Sequence, residues 1–320
     1  MKKVSIIIPC YNEEAVMEHL FTRLNKVLEN LSYDVEIICV SDGSIDETWS
    51  LIRRFSENDK RWKGLSLSRN FGHQMAVSAG LAQAKGECSC IIDADLQDPP
   101  EVLVDFLDAW ELGSEVVYGV RRRRKDQGLK RVLAWVYYRF LKKLSSVEIP
   151  IDAGDFCLLD EKVVHIMNKL PERNRYLRGL RVWCGFRHYA VEFDREARVA
   201  GEVRYTFQQS LKLACDGVFS FSAVPLKLAS HIGLLVSLTA FLGAVVTLLQ
   251  RLFPVFFDKF GMAPAPGFAT IVISILFLGG VQLICLGILG EYISRIYKEV
   301  QARPNWIISE ATNLNVKEGS

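Results

Sequence analysis

The sequence predicts a mixed α/β domain on a mostly parallel sheet, followed by two membrane-spanning helices. Three observations carry this. Short β-branched runs alternate with helical stretches through residues 1–119, the pattern of strand–crossover–strand units with helices on both faces. Polar residues recur at the C-terminal ends of those runs. Two later stretches, 229–250 and 268–290, contain no Asp, Glu, Lys or Arg.

The elements follow in order. VSIII (4–8) is a β-branched run stopped by Pro9, and apolar residues at helical spacing then predict a helix over about 14–31. VEIICVS (35–41) is a second strand, ending at Asp42-Gly43-Ser44 and feeding a helix with Asp46 as N-cap. GLSLS (64–68) is a third, with Arg69-Asn70-Phe71-Gly72 as its loop and a small-residue helix over 75–84. CSCII (88–92) is a fourth, and its helix starts near Pro99-Pro100, where proline is tolerated in a first turn. EVVYG (115–119) is a fifth.

Each uncharged stretch is long enough, at 1.5 Å per residue, to cross a hydrocarbon core of about 30 Å. The spans fall at about 229–252 and 268–291. The loop between them, 251–267, carries one Arg, one Lys and one Asp, whereas Lys227, Arg295, Lys298 and Arg303 flank the pair outside. The positive-inside tendency therefore puts residues 1–206 and the tail 294–320 in the cytoplasm of an integral membrane protein. The first apolar run is too short for a signal h-region and reads as a strand. Two segments read as interfacial amphipathic helices: 129–144, mixing Lys and Arg with Trp, Tyr, Phe and Leu, and 207–228, ahead of the first span.

A net charge of +2 over 320 residues gives no global case for nucleic-acid binding. Eight cysteines show no CxxC and no Cys/His ligand spacing, so reduced thiols are expected and not a zinc site. Neither GxGxxG nor GxxxxGK[ST] is present, which leaves no dinucleotide fingerprint or P-loop.

In a doubly wound sheet the ligand crevice lies outside the C-terminal strand ends. Asn12-Glu13, Asp42, Arg69-Asn70, Asp93-x-Asp95 and Arg121 all fall there. An Asp-x-Asp pair at a strand end suits a hard cation, since Mg²⁺ takes one or two carboxylates and fills its sphere with water and substrate phosphates. Asp98 reads as a cap for the helix after Pro99-Pro100. The run Arg121–Lys125 follows the fifth strand, where an anionic substrate would arrive, although such blocks are usually solvated surface.

SIIIPCYNEE, VSDGSIDET, LSRNFG and DADLQDPPE, in this order and each at a strand end, resemble the family-2 inverting glycosyltransferases of GT-A fold. DAGDFCLLD (152–160), LPERNRYLRG (170–179) and AGEVRY (200–205), followed by two spans, are similar to the polyprenyl-phosphate glycosyltransferase group. That group includes bactoprenol glucosyltransferases and dolichol-phosphate mannose synthases. The resemblance implies a nucleotide-sugar-binding GT-A domain and assigns Pro9, Tyr11, Glu13, Asp42, Asp93 and Arg69 to the nucleotide sugar. It gives Asp95 and Gln97 to a divalent ion, Mg²⁺ or Mn²⁺. It places Asp155 near the reacting centre, Arg121 and Arg131 on the acceptor phosphate, and Arg198 and Arg204 over the diphosphate. Three departures stand out: Ser41 in place of Asn or Asp, Cys157 in place of Arg, and Arg204 in place of Lys.

By the same resemblance the donor is a UDP-sugar, most readily UDP-glucose, and the acceptor a polyprenyl phosphate in the membrane. Other hexoses (mannose, GlcNAc, aminoarabinose) and a non-catalytic nucleotide-sugar-binding role stay open. A homo-oligomer packed through the membrane helices is implied. A lipid monophosphate with a second pKa of about 6 is already anionic near neutrality, so Asp155 is open as a base or as an orienting group.

Overall fold

The computed structural model describes residues 1–122, 153–173, 175–196, 224–253, 255–256 and 267–315. The segment 129–144, most of 207–228, and Arg131, Arg198 and Arg204 lie outside them. The chain divides into two compact units: 1–221 together with 302–320, and 222–301.

The first unit opens with β1 (Lys3–Cys10), α1 (Glu14–Leu28), β2 (Asp34–Ser41), α2 (Thr48–Asn58), β3 (Trp62–Leu67), α3 (His73–Gln83), β4 (Cys88–Ile91), α4 (Val102–Glu111) and β5 (Val116–Arg121). These are the five strands and four helices expected, within a few residues at their ends. The α2 N-cap is Glu47, one residue past the expected Asp46, whose Oδ1 accepts the Thr48 N–H at 3.1 Å in the turn leading into the helix. Three strands had no counterpart in the sequence pattern: β6 (Ala153–Asp160), β7 (His188–Phe193) and β8 (Ile308–Thr312), with α5 (Glu161–Lys169) and α6 (Leu177–Trp183) between the first two.

The sheet order is β7-β5-β6-β4-β1-β2-β3-β8. Strands β4, β1, β2 and β3 run parallel, and β5 runs parallel to β7. β5 does not extend the parallel set by pairing with β4. The antiparallel β6 lies between them. β1 and β2 are almost entirely buried, as strands covered on both faces must be. Their side chains alternate between two cores. Ile6, Ile8, Ile37 and Cys39 pack with α1, α2 and α4, while Ile7, Ile38 and Val40 pack with α3 and α5.

The tail after the second span is not simply a tail. β8 adds to the free edge of β3 in antiparallel register. Asn313 Nδ2 donates to the carbonyls of Ser56 and Trp62 at 2.6 and 3.0 Å. The edge strand is thereby covered.

The second unit holds α7 (Val224–Leu252) and α8 (Phe268–Gln301). Their apolar side chains are exposed, Leu234 by 70% and Leu283 by 71%, which is not how buried core helices look. Lengths and apolar composition over Ala229–Gln250 and Phe277–Gln301 suit membrane crossing.

Candidate functional site

The C-terminal strand ends converge as expected, and the interactions there are more specific than the sequence pattern. β2 ends at Ser41, and Asp42 is buried behind it. Its Oδ1 accepts the Phe71 N–H at 2.7 Å and its Oδ2 the Gly72 N–H at 2.9 Å. Burial pushes the Asp42 carboxyl up, against the pull of these two N–H groups. In this structure Asp42 therefore fixes the β3–α3 loop, and Arg69 projects from that loop with its guanidinium over the Phe71 ring at 4.0 Å. Gly43 allows the loop to come this close: its φ is +64°, and a Cβ there would meet the Arg69 carbonyl carbon at 2.3 Å.

The β1 and β2 loops are tied together beside it. The Asn12 N–H donates to Ser44 Oγ at 3.1 Å, the Ile45 N–H to Asn12 Oδ1 at 2.9 Å, and the Glu13 N–H to Thr48 Oγ1 at 2.8 Å. Ser41 Oγ lies 3.1 Å from Ser44 Oγ. The departure at Ser41 is thus absorbed into a small hydroxyl network. Pro9 is buried at the strand end, while Tyr11 stands 38% exposed at the mouth of the crevice.

The acidic turn after β4 has Leu96 in the left-handed region at φ 55° with its side chain buried. A bulky residue rarely adopts this conformation, and such strain concentrates at functional sites. Asp95 Oδ1 accepts the Gln97 N–H at 3.1 Å, closing the turn. Among the described residues no three His, Cys, Asp or Glu side chains are arranged to hold a metal ion by themselves. Asp95 with Asp93 is still a hard-oxygen donor set of the kind Mg²⁺ or Mn²⁺ completes with phosphate oxygens. Gln97, which the resemblance gives to the ion with Asp95, accepts Arg195 Nη2 on its Oε1 at 2.5 Å in this structure.

Asp155, on β6, lies at the centre of an ion lattice. Arg178 on α6 donates Nε to Oδ1 at 2.8 Å and Nη2 to Oδ2 at 3.0 Å. Gln74 Nε2 donates to Oδ2 at 3.3 Å, and His73 Nε2 lies 3.3 Å from Oδ2 and 3.8 Å from Asp93 Oδ1. Burial alone would raise the Asp155 carboxyl, but Arg178 and His73 outweigh it and hold it well below the usual carboxylate range. Burial likewise works against charge on His73, and here the two carboxylates win, pushing the imidazole up to about 9. Burial raises the Asp93 carboxyl, with His73 opposing. A carboxylate fixed in this way orients its neighbours and takes up protons poorly.

Asp98 is not the helix cap expected of it. The α4 N-cap is Glu101, with no side-chain capping bond, and Asp98 is buried between Arg121 and Arg195. Burial, with Asp93 adding to it, pushes the Asp98 carboxyl up to about 6. Cys157 is buried in β6.

Of the expected residues, the structure brings Asp93 and Asp155 to one cluster through His73, and sets Asp42 against the Arg69 loop. The cluster adds His73, Gln74 and Arg178, and Asp98 beside it adds Arg195, all of which sequence reasoning missed. Three of these had a visible signal: His73-Gln74 directly follow the RNFG loop, and Arg178 lies inside LPERNRYLRG.

Comparison with known proteins agrees with this architecture. The model of glycosyl transferase family 2 matches residues 5–166, and that of the GtrB C-terminal hairpin matches residues 224–296. The bactoprenol glucosyl transferase of Shigella phage SfII is 39% identical over 314 residues, covering 98% of this chain and 99% of its own. The uncharacterized glycosyltransferase YkcC of Bacillus subtilis is 41% identical over 314 residues, covering 98% and 95%. Glucosyl-3-phosphoglycerate synthase of Mycobacterium tuberculosis, solved with Mn²⁺, UDP and phosphoglyceric acid, shares the fold at a TM-score of 0.51 and 18% identity, over 68% of this chain and 76% of that one.

Proposed function

From the premise that this chain belongs to glycosyl transferase family 2, we propose that it transfers glucose from UDP-glucose to a membrane polyprenyl phosphate, with inversion at the anomeric carbon. The phage relatives named for bactoprenol glucosyl transfer match over nearly their whole length, which supports the acceptor class. The observation that carries the chemistry is Asp155, whose oxygens are engaged by Arg178, Gln74 and His73. A sugar-hydroxyl acceptor needs a base positioned to take its proton, and Asp155 is ill-suited to that. A phosphate monoester arrives already deprotonated.

In this reading a phosphate oxygen of the lipid attacks the anomeric carbon as the bond to the UDP oxygen breaks. Asp95, with Asp93 beside it, would hold a divalent ion, which when bound offsets the charge of the departing diphosphate. Asp155 and Arg178 orient the sugar, and Arg121 meets the incoming phosphate. Asp42 serves the nucleotide pocket by holding the Arg69 loop. Arg198 and Arg204 are assigned to the diphosphate and Arg131 to the acceptor.

The catalytic unit is proposed to face the cytoplasm. The β3–β8 pairing supports a common side for the sheet and the segment 308–312, since two intervening crossings return the chain to the side it left. Membranes carrying the protein, given labelled UDP-glucose and polyprenyl phosphate, should yield an organic-extractable product that EDTA suppresses. Product from GDP-mannose or UDP-GlcNAc alone would replace glucose by that sugar. No lipid-linked product from any nucleotide sugar would overturn the reading.

A further inference from the structure

Asp98 lies next to Gln97 yet belongs to a different set of interactions. It is 1% exposed, and a carboxylate so buried needs positive partners. It has two. Its Oδ1 is 3.8 Å from Arg121 Nη2 and 4.0 Å from Arg195 Nε. Arg121 closes β5 and Arg195 follows β7, the strand paired in parallel beside β5. Neighbouring strands thus deliver two guanidiniums to one carboxylate from the same sheet edge.

The arrangement is incomplete by itself. Among the described residues, neither Asp98 Oδ1 nor Arg121 Nε has a hydrogen-bond partner. Both arginines remain partly open, at 29% and 34% side-chain exposure. Arg195 is steadied from its other side by Gln97 Oε1 at 2.5 Å, and the Glu196 N–H donates to the Gln97 carbonyl at 3.0 Å. Two guanidiniums this close repel one another, and the carboxylate between them offsets that repulsion. Ion-pair contacts near 4 Å leave N–H groups on both arginines for a ligand with several acceptor oxygens, as a phosphate has.

We propose that Asp98 is a positioning residue that holds Arg121 and Arg195 as a two-armed clamp on the phosphate monoester of the acceptor, with Arg195 the second arm. This rests on the phosphate-acceptor reading above. The clamp lies at the edge of the sheet on β5 and β7, beside the acidic turn, so it admits the acceptor from the side opposite the Asp42 loop on β2 and β3.

The test uses the full chain in detergent, with EDTA present and no nucleotide sugar, titrated calorimetrically with farnesyl phosphate and with farnesol. Wild-type protein should bind the phosphate and not the alcohol. Asp98→Asn and Arg195→Gln should each weaken phosphate binding by about ten-fold, the size expected for one charge-assisted contact. In transfer assays the same variants should raise KM for the lipid phosphate and leave KM for the nucleotide sugar within about two-fold. Arg195→Lys, which keeps the charge, should recover part of the loss. Farnesyl-phosphate binding unchanged in Arg195→Gln, or a rise confined to the nucleotide-sugar KM, would overturn the clamp. Arg195 is part-exposed, so that variant decides the matter even if Asp98→Asn fails to fold. If the wild-type protein neither binds the phosphate nor glycosylates a polyprenyl phosphate, the acceptor reading itself falls.

Discussion

Arg178 holds Asp155 through two near-parallel bonds, Nε to Oδ1 at 2.8 Å and Nη2 to Oδ2 at 3.0 Å. The fork matches the planar carboxylate in a way an ammonium does not. Arg178→Lys keeps the charge and loses the geometry, so kcat should fall at least about ten-fold while the protein stays folded. Arg178→Ala leaves a buried carboxylate without its main partner and should cost about 3 kcal/mol, read as a lowered melting temperature in detergent. A melting temperature unchanged in Arg178→Ala would show that the pair does not hold the site together.

The lattice around Asp155 makes two opposite predictions with pH. The Asp155 carboxyl is depressed, so its stabilisation is present above the ordinary carboxylate range and fades only as pH falls through its lowered pKa. His73 is raised from 6.5 to about 9, so its stabilisation is complete below about 6.5 and is lost as pH rises through about 9. Thermal melts across that alkaline window should show a decline in the wild-type protein. His73→Gln should lack it. A wild-type stability that is level from pH 6.5 to 9 would mean the imidazole is not charged as argued.

Gly43 is the hinge on which the Arg69 loop rests. A side chain at φ +64° with its Cβ 2.3 Å from backbone must displace that loop, at a cost of about 1–3 kcal/mol. Gly43→Ala should therefore raise KM for the nucleotide sugar several-fold through Arg69, as well as lowering stability. Donor kinetics identical to the wild type would separate the loop from the nucleotide pocket.

Removing residues 302–320 should uncover the β3 edge. The Ser68 N–H loses the Ile307 carbonyl, and Ser56 and Trp62 lose the Asn313 amide. Hydrogen exchange at β3 should speed up and the protein should aggregate more readily. The single change Asn313→Ala should cost about 1–2 kcal/mol for the two bonds it breaks. Unaltered exchange at β3 after truncation would show that β8 is ornamental to the sheet.

Much of this was legible in the sequence because it is local. VSIII and VEIICVS advertise buried strands by composition, and the acidic turn follows its strand directly. What escaped was set by pairing across long stretches of chain. Nothing near Ile308 says that its segment will lie beside β3, some 240 residues earlier by their numbering. β6 shows only a short apolar run, FCLL, between two aspartates, and its insertion between β4 and β5 alone reveals an antiparallel element in the sheet. The same holds for side chains. Asp98 resembles a helix cap when read locally and becomes a partner of Arg121 and Arg195 only once β5 and β7 are adjacent. Asp155 was found by resemblance, but its state follows from Arg178 and His73, which approach from α6 and α3. Asp42 is assigned to the nucleotide by resemblance, and the hold of its oxygens on the Phe71 and Gly72 amides becomes visible only once the β3–α3 loop lies against it.

The most direct test of the central claim, sugar transfer to a lipid phosphate without a general base at Asp155, is the pH dependence of lipid-linked product formation by Asp155→Asn beside the wild-type enzyme. With labelled UDP-glucose and polyprenyl phosphate, the wild type should make product and the variant should be slowed by a similar factor at every pH, with donor binding retained. A variant whose activity returns as hydroxide concentration rises would contradict the account, because the carboxylate would then have been removing a proton.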